Sequence, residues 1–136
     1  MSASGKEKMI GLLSTTASWS SQGAAGTETS LYVVPTGKIC VPMFVVMRTV
    51  SASMATAVVT FGKTGGSCDE FRGDVTLTNL DGTTKYAIIH QQDTTRNTPD
   101  GGLLLTAAQV FGIEVTTADA DGGTATIDVF GYLYDA

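Results

Sequence analysis

The chain has 136 residues, 43% of them hydrophobic and 15% charged. That length suits one domain of the usual ~100–200 residues, and the hydrophobic share rules out a disordered chain even though charge is scarce. Eight Lys and Arg against thirteen Asp and Glu leave a formal charge of −5, which argues against a protein that binds nucleic acid through its phosphates.

Strand-favouring residues dominate, with 21 Thr and 12 Val, and 16 Gly are available for turns. The balance predicts an all-β domain. Residues 1–30 are rich in Ser, Thr, Ala and Gly, with Met9-Ile10-Gly11-Leu12-Leu13 and Trp19 as anchors. This segment reads as an N-terminal arm or an extended strand that needs another surface, and 31–136 as the folded domain. Trp19 either tucks into its own domain or docks on a neighbouring subunit, and the second option makes it a partner-surface candidate.

Leu31 to Val34 predicts a strand and Pro35 to Lys38 a turn. Ile39 to Val50 is apolar on both faces. Strict alternation puts Ile39, Val41, Met43, Val45 and Met47 on one face and Cys40, Phe44 and Val46 on the other. Pro42 cannot donate to a ladder, so it marks an edge or a bulge. Ala55 to Phe61, Asp74 to Thr78, Lys85 to His90 and Val110 to Thr117 supply further strands. Thr124 to Tyr134 alternates cleanly, with Ala125, Ile127, Val129, Gly131 and Leu133 facing inward and Phe130, Tyr132 and Tyr134 facing outward. The pairs Asp81-Gly82, Asp100-Gly101 and Asp121-Gly122 predict tight hairpin turns. About eight antiparallel strands in two sheets make a jelly-roll-like β-sandwich. No apolar run approaches the ~18 residues of a membrane helix, and Met9 to Leu13 is shorter than a signal-peptide core of ~7–15 residues. The expectation is synthesis and folding in a cytoplasm.

Reactive constellations are weak. His90 is the sole histidine, and no G-x-S-x-G elbow accompanies it. Gly62-Lys63-Thr64-Gly65-Gly66 has the wrong order for a phosphate loop. Asp119 and Asp121 offer calcium two carboxylates, but position twelve of the would-be loop is Phe130. Asp69, Glu70 and Asp74 surround Arg72, the pattern of a charge-balanced loop. Cys40 and Cys68 lack zinc-ligand spacing and read as small buried residues, with a disulfide between them left open. No cofactor, metal or catalytic residue is expected. Residues 97–136 carry six acidic side chains and no Lys or Arg, which suits either solubility or a basic partner. Exposed aromatics in a row suit a subunit contact. Phe44, Val46, Phe130, Tyr132 and Tyr134 therefore join Trp19 as candidates for an oligomer or partner interface.

Two stretches carry a family resemblance. Leu31-Tyr32-Val33-Val34-Pro35-Thr36-Gly37-Lys38 resembles the opening of many small phage virion proteins. Phe111 to Thr117, followed by Thr124 to Leu133, resembles their ending. The likeness covers residues 30–134 and points to small jelly-roll proteins of tailed bacteriophages, of the head-decoration or cement type. It implies a homo-oligomer, commonly a trimer, that sits on the major capsid protein at the virion surface and clamps neighbouring capsomers without enzymatic activity. It carries over no individual functional residue. An arm that orders on binding would add reach across a seam. The alternative is a tail or fibre module that binds a host glycan, with Tyr132 and Asp128 as the sugar platform. A glycan hydrolase using Asp69, Glu70 or Asp74 comes third.

Overall fold

Alternating β-branched and aromatic residues build strands wherever one face can be buried. The structure, a computed structural model, describes residues 12–91 and 102–136, and these contain nine strands. They are β1 (Leu12–Ser20), β2 (Thr27–Val33), β3 (Lys38–Arg48), β4 (Val58–Lys63), β5 (Arg72–Thr76), β6 (Ala87–His90), β7 (Leu105–Thr106), β8 (Val110–Thr117) and β9 (Thr124–Asp135). The first sheet runs β1-β9-β3-β6, with β7 also on β3, and the second runs β2-β8-β4-β5. Every pairing is antiparallel. Only the β4–β5 hairpin and the β6–β7 step stay within one sheet. Every other connection crosses to the opposite sheet, which is jelly-roll wiring.

The core lies between the sheets. Cys40, Val45, Met47, Ile127 and Val129 face Phe61, Phe111, Ile113 and Val115, all fully or nearly fully buried. Phe111 anchors it, 5.2 Å edge-on to Phe71 and 6.4 Å from Phe61.

Several expectations resolve. Within the segment expected as an arm or an extended strand, Leu12–Ser20 pairs with β9 and Thr27 opens β2. Of the two placements expected for Trp19, the one inside its own domain is observed: it is 3% exposed and packs in the core. The two Asp-Gly pairs among the described residues do not make hairpins. Asp81-Gly82 lies between β5 and β6, and Asp121-Gly122 between β8 and β9, each pair of strands split between the two sheets. Asp100-Gly101 lies outside the described residues. Gly122 does take a positive φ of 71°, so the chemistry of a tight bend is right while its partner strands are not. Among the described residues the one hairpin between neighbouring strands is β4–β5, whose loop includes Gly65 at φ 84°.

The faces of β3 also differ from strict alternation. Its register with β9 shifts between Pro42 and Phe44. The resulting bulge at Met43 puts Cys40, Val45 and Met47 on the same inner side and sends Val41, Phe44 and Val46 outward. The other edge of β3 is taken by β7 at Ile39 and Cys40 and by β6 from Phe44 to Met47. Pro42 falls between those two stretches, where among the described residues no ladder bond is asked of it.

Candidate interaction surface

The outer face of the first sheet is set by the β3–β9 register. Phe44 sits opposite Phe130, Val46 opposite Asp128, Val41 opposite Tyr132 and Ile39 opposite Tyr134. Phe44 and Phe130 stack with centroids 4.9 Å apart, and Tyr132 and Tyr134 follow at 6.2 Å from each other. β6 extends the face through Ile88, which is 49% exposed and opposite Val46, and the bulge adds Met43 at 46%. Five of the six expected interface residues thus meet on one platform, and Trp19 does not. Ile88 and Met43 escaped the sequence reading. The adjacent Ile88-Ile89 was the available signal, since one of two neighbouring apolar residues in a strand must face outward.

The platform's charges are matched within the chain. Arg48 donates from Nε to Asp128 Oδ2 at 2.6 Å and from Nη2 to Oδ1 at 3.3 Å. That hydrogen bond, and then the carboxylate's charge, hold the guanidinium above its ordinary value. Lys38 pairs with Asp135 at the other end. Asp128, expected beside Tyr132 as a sugar contact, is only 9% exposed and engaged by Arg48. The result is a largely apolar surface whose Arg48 and Lys38 are paired with Asp128 and Asp135, which suits protein contact.

The other candidates resolve into structural roles. Asp119 is 3% exposed and ties three loops together. Its Oδ2 accepts from Thr56 N at 3.1 Å and Thr56 Oγ1 at 2.8 Å, its Oδ1 accepts from Asp121 N at 2.7 Å, and its own N–H donates to Ser21 O. Both carboxylate oxygens are therefore occupied by donors rather than left for calcium. Burial pushes the Asp119 carboxyl up, but hydrogen bonds from Asp121, Thr56 and Gly122 outweigh it and hold the group below the ordinary range. A depressed folded value gives stability that is present above the unfolded carboxyl pKa of ~3.9 and lost as pH falls through the folded value. Asp119→Asn should cost about 1.5–3 kcal/mol at neutral pH. Urea melts should show the gap to wild type narrowing as the pH falls below the unfolded carboxyl value of ~3.9, and a gap unchanged by acid would contradict this assignment.

The glycine-rich loop after β4 works as an amide donor to the chain's own carboxylates. Gly65 N donates to Glu28 and Lys63 N to Glu70, both at 2.9 Å. Asp74 accepts from Thr116 Oγ1, and Asp69 is exposed, so the acidic trio does not converge on a cleft. His90 lies 6.4 Å from the Phe44 ring, and its carbonyl accepts from Arg72. A notch of about 400 Å³ opens between the edge strands β5 and β6, lined by Arg72, Val75, Leu77, Ile88, Ile89 and His90 among others. Both cysteines are free and buried. Burial pushes Cys40 up to about 11. Burial, then Glu28, Glu114 and Glu70, push Cys68 to about 12. Such thiols stay protonated and unreactive at neutral pH. Among the described residues no three His, Cys, Asp or Glu gather as a metal set.

Neither a protein-family model nor a curated protein matches the sequence. Solved structures do match the fold. A chain of the cyanophage Pam1 capsid asymmetric unit aligns over 100% of this chain and 93% of its own, at 17% identity and a TM-score of 0.59. A chain of the Ralstonia phage GP4 capsid aligns over 92% and 84%, at 16% identity and 0.56. A chain of the acidic stable capsid of Helicobacter pylori bacteriophage KHP30 aligns over 94% and 96%, at 15% identity and 0.54. The sandwich thus shares its fold with chains found in phage capsids, and each matched chain is itself close to this one in extent.

Proposed function

We propose that this chain is a structural, non-enzymatic virion protein of a tailed phage, a head-decoration or cement protein that binds the major capsid protein as a homo-oligomer, a trimer by the family resemblance, and stabilises the shell. One observation carries the reading: three capsid structures each contain a chain that this sandwich matches over most of both lengths. The outer platform of Phe44, Val46, Phe130, Tyr132 and Tyr134 supplies the contact with sister copies or the shell. Clamping needs buried area rather than reactive groups.

The experiment mixes purified protein with undecorated capsids. Co-sedimentation at micromolar concentration and a raised shell melting temperature are expected. Phe130→Asp combined with Tyr132→Asp should weaken the binding, or the self-association, by at least about tenfold, as loss of a buried aromatic anchor does. A strictly monomeric protein that stays in the supernatant would overturn the reading.

A further inference from the structure

The first sheet ends at β6, which pairs with β3 on one side only. Arg72 of β5 donates from Nη1 to His90 O at 3.3 Å, so the backbone groups of His90 point away from β3. In an antiparallel strand that direction alternates from residue to residue, which turns the N–H and C=O of Ile88 the same way. No described strand meets them there. The side chains along this edge are open: Ile88 is 49% and Tyr86 65% exposed, and His90 is exposed as well. The notch between β5 and β6 runs beside the same edge. Both edges of the second sheet carry devices that discourage pairing. β5 holds Arg72, Asp74 and a register shift against β4, and β2 holds Glu28 and a bulge between Ser30 and Tyr32. From Tyr86 to Gln91 there is no Asp, Glu, Lys or Arg, no glycine and no proline.

We propose that β6 pairs antiparallel with β6 of a second copy, across a two-fold axis at Ile88. Such a contact requires one patch to fit itself, and the sequence does so about this residue. Ile88 lies opposite the partner's Ile88 and exchanges both backbone bonds with it. Tyr86 falls opposite His90, the small Ala87 opposite the larger Ile89, and Lys85 opposite Gln91. Aromatic and β-branched pairs of this kind stabilise a sheet, and no like charges are opposed. That matters for a chain of formal charge −5, which repels its own kind over much of its surface. The His90 carbonyl has a second lone pair for the partner's Tyr86 N–H. The partner's Ile89 finds room in the notch beside Ala87, Val75 and Leu77. Because Ile88 lies beside Val46 and His90 beside Phe44, the joined sheets carry the two aromatic platforms on one continuous surface. The pairing lies in the plane of the sheet and the platform faces out of it, so both can be occupied together. The number of copies is then two, or twice the number that the platform itself holds. The pairing does not rest on the shell reading.

The test replaces Ile88 by cysteine. Residues of an antiparallel hydrogen-bonded pair lie about 5.5 Å apart at Cα, inside the ~4.4–6.8 Å range of a disulfide. Oxidation of the full chain with diamide should link Ile88→Cys into a covalent dimer at least about tenfold faster than Ala24→Cys, an exposed site between β1 and β2 at the far side of both sheets. Cys40 and Cys68 are buried and stay out of the reaction. Sedimentation of the wild type up to about 100 micromolar should show the pairing, and Ile88→Lys, which sets two ammonium groups against each other, should weaken it at least about tenfold. The Ile88 side chain is half exposed, so neither substitution opens the core. Adding Phe130→Asp and Tyr132→Asp to Ile88→Cys should leave the covalent dimer unchanged, which separates this edge from the platform. A wild type that stays monomeric, equal rates from the two cysteines, or association untouched by Ile88→Lys would overturn the pairing. Loss of the covalent dimer in the platform variants would move the sister contact to the platform and overturn it too. Capsids that fail to bind a protein still linked at Ile88 count against the shell reading alone.

Discussion

Phe111→Ala should remove about 3–5 kcal/mol of stability, the cost of emptying a fully buried aromatic site. The ring lies at the centre of the second sheet, with Tyr32 of β2 on one side and Lys63 of β4 on the other. It is 0% exposed and touches both Phe61 and Phe71. Those contacts come from three chain segments, so no single rearrangement can refill the void. Domains are stable by only ~5–15 kcal/mol, and this loss is a large part of that. Urea unfolding should show a lower midpoint at unchanged slope. Phe130→Ala on the outer platform makes the control: its side chain is only partly buried and should cost distinctly less. Equal losses at the two positions would mean the core is not where the sandwich places it.

Gly131→Val should be at least as severe, about 3 kcal/mol or more, at the upper end of overpacking costs. A side chain at Gly131 would meet Pro42 Cα at 2.8 Å and Met43 N at 3.1 Å, and would press on Val41 O. These are backbone atoms of the neighbouring central strand, so no rotamer change can clear them. The bulge around Met43 sits directly against this glycine. Thermal melts should place the variant about 10 °C or more below wild type, or show no folded protein at all. A melt within about two degrees of wild type would mean that the β3–β9 pair can spread apart, contrary to its continuous register from Lys38 to Arg48 on either side of the bulge.

The legible parts of the fold were those with a clean period. Thr124 to Tyr134 alternates without interruption, and its inner and outer residues are those observed. The aromatic platform followed directly from that strand. β3 was legible as a strand but not in its faces, because one extra residue at Met43 reverses the phase of everything beyond it. Leu12–Ser20 was legible only as an arm or an extended strand in need of another surface, because it is rich in Ser and Thr and carries little apolar periodicity; that surface is β9, more than a hundred residues away. The Asp-Gly turns were misassigned because turn chemistry fixes a local bend, whereas the sheet that the next strand joins is a property of the whole sandwich. The Arg48–Asp128 pair had no sequence signal, since it exists only through the register of distant strands.

In each sheet, the strand that bridges its neighbours is synthesised after both of them. β9 joins β1 to β3, and β8 joins β2 to β4. Until residues 110–135 have emerged, the earlier strands lack their lateral partners, and only the short β4–β5 hairpin and the β6 and β7 contacts with β3 can form ahead of them. Assembly of the sandwich is therefore late, cooperative and dominated by distant contacts, with the millisecond-to-second folding times such topologies show. During synthesis the nascent chain holds several unpaired apolar strand edges in the open, which gives holdases a substrate that the folded sandwich no longer presents.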